Sequence, residues 1–179
     1  MAGVLAKNHR VTVSSMAVAS HQKGNSFSYG GHPVKFKQIR DYEIAGERVA
    51  AFKFYGTPAD MVSIMLGSIM ENRKPDLVIC GINNGLTVGT DIFCSSNIGM
   101  AMQSIFSNVP CIAVAVPIRL GGHTKEELTP AAEFISKNIE AIVNMKLPSD
   151  TFLNISCPLV KKYSDYKGIA IASAESLPK

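Results

Sequence analysis

Two apolar runs rich in β-branched residues, Asp76-Leu77-Val78-Ile79-Cys80 and Cys111–Val116, constrain this chain most. A strand without a polar face must be covered on both sides, which puts it in the middle of a sheet flanked by helices. Between the two runs, a polar, glycine-bearing stretch gives way to Ser95-Ser96-Asn97. A helical pattern follows, with Ile98, Met100, Ala101, Met102 and Ile105. Strand, crossover helix and parallel strand make a βαβ unit. Right-handed closure of such units predicts a three-layer α/β/α sandwich around a mostly parallel, Rossmann-like sheet.

The remaining elements fit that frame. Val11-Thr12-Val13 reads as a strand, 20–31 as a polar glycine-bearing stretch, 34–44 as a hairpin region and 49–55 as a further strand. Thr57-Pro58-Ala59-Asp60 is a helix start, with a capping hydroxyl, a proline pre-set for the first turn and an acid at the positive end. The helix is expected to run to Asn72, burying Met61, Ile64, Met65 and Ile69 at helical spacing. Thr129-Pro130 opens an amphipathic helix to Asn144, and short strands are expected over 152–155 and 168–172.

Composition narrows the function classes. A chain of 179 residues without repeats or linkers is expected to form one domain over 1–179, and 46% hydrophobic against 18% charged residues excludes wholesale disorder. The longest clean apolar run, 111–118, is eight residues, far short of a membrane span. The opening Met1-Ala2-Gly3-Val4-Leu5-Ala6-Lys7 has no secretory pattern, so a cytoplasmic location is expected. The net charge of +4 is scattered, and with no tryptophan and 7% aromatics it argues against a nucleic-acid duplex as partner while suiting a small anion. Cys80, Cys94, Cys111 and Cys157 match neither a zinc spacing nor a C-x-x-C pair, and are expected to be reduced, buried thiols.

In open α/β sheets, ligands bind where the loops leave the carboxyl ends of the strands. Two such loops are rich here: 55–60, and 80–91 with Gly81, Gly85 and Gly89 spaced by four. That spacing is neither the dinucleotide fingerprint nor the P-loop, which excludes a nicotinamide enzyme and a Walker ATPase. The helix start at Ser95, Ser96 and Asn97 offers backbone N–H groups and a positive dipole end, suited to phosphate. An ordinary serine cap explains the same residues, and Asn83 and Asn84 also suit a plain turn. Spacing alone leaves these readings open.

The stretches Gly56-Thr57-Pro58-Ala59-Asp60 and Pro75-Asp76-Leu77-Val78-Ile79-Cys80-Gly81-Ile82-Asn83-Asn84-Gly85, followed by Gly89, Ser95 and 109–115, resemble the SurE family of metal-dependent nucleotidases. The likeness extends to Arg10-Val11-Thr12-Val13, Lys23-Gly24-Asn25-Ser26 and Phe152-Leu153-Asn154-Ile155, nearly the whole chain. It implies hydrolysis of nucleoside monophosphates to nucleoside and phosphate, a divalent cation (Mg²⁺ or Mn²⁺), and a homodimer or homotetramer. Carried over residue by residue, Asn83 matches a metal-binding asparagine whose carbonyl oxygen suits a hard cation. Ser95, Ser96 and Asn97 fall at the phosphate-facing helix start, and Gly85 and Gly89 match loop glycines that let backbone approach an anion.

The departures are as specific. The family's adjacent aspartate ligands, which follow its first strand, have no counterpart, because the chain begins in what reads as the later part of the next helix; catalytic residues are therefore unassigned. The family's serine ligand aligns with His21, beside Ser20, and His21 is the second candidate metal ligand. The usual S-G-T reads Ser95-Ser96-Asn97, and a loop asparagine is replaced by Thr87. The resemblance implies a chain incomplete at both ends, or a degenerate relative that serves as a nucleotide- or phosphate-binding or assembly module without chemistry. Asp60, Asp91, His32 and His123 are expected to serve as caps, turns or solvated groups, not as catalysts.

Overall fold

The computed structural model describes residues 1–18, 22–28 and 32–172. Its centre is β7 (Cys111–Val116), every residue of which is buried, hydrogen-bonded in parallel to β6 (Val78–Asn84) on one side and β8 (Leu153–Ser156) on the other. Alternation along β7 assigns its two faces. Ile112, Val114 and Val116 pack with Ile135 and Ile142 of α5 (Lys125–Asn144). Cys111 and Ala113 pack with Ile98 and Ala101 of α4 (Ser96–Phe106) and with Cys80. Helices thus cover both faces, as a strand without a polar side requires.

A second sheet has the order β1 (Thr12–Met16), β5 (Ala50–Tyr55), β2 (Lys35–Ile39), with β1 parallel and β2 antiparallel to β5. Between β2 and β5 a small hairpin of β3 (Glu43–Ile44) and β4 (Glu47–Arg48) turns through Ala45 and Gly46, at φ 54° and 82°. Helix α2 (Pro58–Ile64) lies over β1 and packs against α4, so two neighbouring helices tie the sheets together. The short α1 (Ala2–Leu5) rests on α5. The fold is α/β with a mostly parallel, Rossmann-like arrangement, but its strands form two three-stranded sections, with β1 and β6 each at an edge.

Several element boundaries differ from those expected. The helix foreseen over 57–72 is α2 followed by one π-helical turn, Met65–Ile69. The strand foreseen over 76–80 begins at Val78 and continues through Asn84, past a register shift between Cys80 and Asn83, so Asn83 stands on a strand tail. The 34–44 region is not a local hairpin, because β2 pairs with the distant β5. Helix α5 starts five residues before Pro130. Thr124 and Glu127 form a reciprocal capping box there, which outcompetes the Thr129-Pro130 signal. The strand expected over 168–172 does not form; these residues are exposed and pair with no strand among the described residues. Cys80, Cys111 and Cys157 are buried, but Cys94 is exposed. A hydrogen bond with Cys111 and burial both push the Cys80 thiol up, and burial pushes Cys157 up to about 11, so both stay protonated and inert. Among the described residues, no helix is long and apolar enough to cross a membrane.

Candidate active site

The carboxyl ends of β6 and β7 open onto the start of α4. Pairing with β7 resumes after the shift, with Asn83 opposite Ala115 and Asn84 opposite Val116, and the Gly85 N–H extends it to Val116 O at 2.9 Å. At φ 138°, Gly85 holds a backbone conformation that side-chain-bearing residues avoid. The turn brings its carbonyl back to Asn83, whose Nδ2 donates to Gly85 O at 2.7 Å. Because a carbonyl only accepts, that contact fixes the amide nitrogen on Gly85 O and leaves Oδ1 as the acceptor end of the side chain.

Thr87 joins this turn to the helix. It is 1% exposed, its hydroxyl lies 3.3 Å from Ser95 Oγ, and its carbonyl accepts from Asn154 Nδ2 of β8 at 2.8 Å. Ser95 is the N-cap of α4, its Oγ accepting from Ile98 N, while the Gly99 N–H goes to Ser95 O. Asn97 turns its side chain into the core, where Nδ2 donates to Val114 O at 3.3 Å. What it offers an anion is its backbone N–H. Gly89 sits at φ 55° in the turn leading into α3 (Asp91–Cys94). The turn after β6 and the start of α4 thus border one mouth, joined by the Thr87–Ser95 contact, with Ser96 and Asn97 on its helical side.

A clamp that sequence reasoning missed fixes the loop after β1 against this mouth. The Lys23 N–H donates to Ser96 Oγ at 2.9 Å, Gly24 N–H to Cys94 O at 2.8 Å, and Gln103 Nε2 to Asn25 Oδ1 at 2.6 Å. Gly24 lies directly on α4: a Cβ at Gly99 would stand 2.1 Å from Gly24 O. Lys23, whose backbone N–H meets Ser96 Oγ at the helix start, is exposed. The only hint in the sequence was the pair of small residues Gly99 and Ala101 on one helical stretch. His21 and Ser20 lie outside the described residues.

The other end of that loop is held by Asp60, 6% exposed, whose carboxylate accepts from Thr57 N at 2.7 Å and from Ser28 N at 3.2 Å. Burial alone would raise its pKa. The hydrogen bonds from Thr57 and Ser28 outweigh that and hold the carboxyl below the usual range. A depressed carboxylate stabilises the fold above its unfolded pKa, about 3.9, and loses that contribution as pH falls through the lower folded value. Asp60→Asn is therefore expected to cost about 1–2 kcal/mol at neutral pH and to flatten the acid limb of the stability curve, read by urea melts between pH 2 and 7.

Asp91 lies in the first turn of α3, and His32 is exposed. His123 was expected at a turn; its side chain is instead 1% exposed, with Nε2 2.9 Å from Pro117 O. The site's described oxygens are the Asn83 amide and the hydroxyls of Thr87 and Ser95, all neutral. Asp60 is committed to backbone N–H groups, and no group of three or more His, Cys, Asp or Glu is placed to hold a metal among the described residues. A hard divalent cation draws its affinity from carboxylate charge, so these residues do not by themselves fit one.

The family model for survival protein SurE matches residues 1–176. The chain is 32% identical over 178 residues to 5′-nucleotidase SurE of Thermosynechococcus vestitus, covering 94% of this chain and 65% of that one. It is 33% identical to 5′-nucleotidase SurE of Trichodesmium erythraeum, covering 94% and 64%. The crystal structure of the SurE protein from Aquifex aeolicus superposes with a TM-score of 0.80 at 27% identity, over 98% of this chain and 65% of that one. This chain thus spans about two-thirds of the length of such relatives. With the family model covering residues 1–176, the chain belongs to the SurE family.

Proposed function

We propose that this protein is a 5′-nucleotidase that releases phosphate from nucleoside monophosphates, acting in the cytoplasm as a homodimer or homotetramer with Mg²⁺ or Mn²⁺. One observation carries the reading. The Thr87–Ser95 contact joins the turn that follows Asn83 to the start of α4, which supports a mouth shared by the Asn83 amide and the helix start. The helix start gives the phosphate backbone N–H donors and the positive end of a dipole. An acceptor such as Asn83 Oδ1 repels phosphate oxygens and faces what carries a proton or positive charge, an attacking water above all. Gly85 and Gly89 keep the approach clear of side chains. A bound cation would polarise the phosphoryl oxygen; the described residues supply it one neutral ligand, and no step is assigned to it.

That neutral donor set favours a second reading, a nucleotide-binding module without chemistry. Phosphate release from AMP with added Mn²⁺ or Mg²⁺, measured with and without EDTA, separates the two. The nucleotidase reading expects release that EDTA abolishes. AMP affinity by calorimetry that is unchanged by EDTA, with no release under any condition, would establish the module and refute the nucleotidase.

A further inference from the structure

The segment leaving β7, Pro117 to Thr124, carries two large apolar side chains into solvent: Ile118, 75% exposed, and Leu120, 95% exposed. Single apolar residues at a surface are unremarkable. These two differ because the backbone that presents them is pinned on both sides. Asn84 uses its whole amide on the residue between them, Oδ1 accepting from Arg119 N at 2.8 Å and Nδ2 donating to Arg119 O at 2.9 Å. The Arg119 guanidinium pairs with Glu127 at the start of α5. Beyond Leu120, Gly121 and Gly122 turn the chain at φ 84° and 80°, and buried His123 ties back to Pro117 O. Exposed leucine on a tethered backbone is a fixed apolar surface, with little entropy left to lose on contact.

Its position is specific. Asn84, the clamp, is the immediate neighbour of Asn83, and a Cβ built on Gly85 would lie 4.0 Å from Ile118 Cβ. Ile118 therefore stands beside the turn that follows β6, with Leu120 two residues further along the same tethered segment. Phosphate has no use for an apolar surface; the flat, weakly hydrated face of a nucleobase does.

We infer that Ile118 and Leu120, held in place by the Asn84–Arg119 clamp, form the platform on which the base of a nucleoside monophosphate rests. The inference rests on the nucleotidase reading and deepens it, by assigning a base-contacting surface to the same site. The other occupant of an apolar surface, a second copy of the chain, is an outcome of the test.

The test compares the parent protein with an Ile118→Ser/Leu120→Ser double variant by calorimetry, using AMP and inorganic phosphate as separate titrants, with light scattering for the oligomer. Both side chains are exposed, so the substitutions leave folding nearly unchanged. Covering roughly 60 Å² of apolar surface corresponds to about a tenfold change in affinity. The expected result is AMP binding weakened about tenfold in the variant, with phosphate binding unchanged. Equal weakening of both titrants, no change in either, or a shift in oligomer with AMP affinity intact would overturn the inference and leave the nucleotidase reading standing. A parent protein that binds neither AMP nor phosphate would refute that reading itself, and the platform with it.

Discussion

Gly99→Ala is expected to unfold the clamp between the β1 loop and α4 and to cost about 3 kcal/mol of stability. The added Cβ would stand 2.1 Å from Gly24 O, 2.5 Å from Gly24 C and 2.9 Å from Asn25 N, all backbone atoms that cannot rotate away. Overpacking of a close contact costs about 1–3 kcal/mol. Moving the loop off also weakens the bonds from Lys23 N to Ser96 Oγ, Gly24 N to Cys94 O and Gln103 Nε2 to Asn25 Oδ1, each about 0.5–1.5 kcal/mol net. For a chain of this size, Tm should fall by roughly 6–12 °C. Gly67→Ala is the control, since a Cβ there meets nothing within 4 Å and helical alanine is favoured over glycine. A Gly99→Ala melt indistinguishable from the parent would mean that the loop does not lie on the helix.

Asn83→Ala is expected to lower phosphate release from nucleoside monophosphates about 100-fold while costing only about 1 kcal/mol of stability. The asymmetry follows from the two ends of the amide. Nδ2 makes one bond, to Gly85 O, whose loss is the ordinary net cost of a hydrogen bond. In the proposed reaction Oδ1 would orient a reacting group, and a misplaced reactant costs orders of magnitude in rate. Thermal melts and initial rates on the same preparation separate the two effects. Unchanged rates with the expected small loss of stability would reduce Asn83 to a turn residue.

The residues that fixed the architecture were legible because their physics is local. Cys111–Val116 could only be a strand covered on both faces, and Thr57-Pro58 could only begin a helix. Where local signals competed, the stronger-looking one misled. Thr129-Pro130 resembles a helix start, yet the proline is tolerated inside α5 because Thr124 and Glu127 cap each other one turn earlier. The 168–172 run has strand-like residues but no neighbouring strand among the described residues, and a strand alone has no partner for its N–H groups. Asn83 and Ser95 were singled out through signatures at matched spacing. The Thr87–Ser95 contact was not, since a side-chain contact across a loop leaves no periodicity. The Gly24–Gly99 contact and the Asn84–Arg119 clamp span 75 and 35 residues, and no local pattern encodes which distant backbone a glycine or an amide will meet.

The most direct measurement of the shared mouth is an amide-resolved NMR titration of the ¹⁵N-labelled protein with inorganic phosphate. The account expects the largest shifts at the Ser96, Asn97 and Ile98 amides, with smaller ones at Gly85 and Thr87 on the opposing turn. Saturable shifts confined to other parts of the chain, with those five amides unmoved, would contradict it.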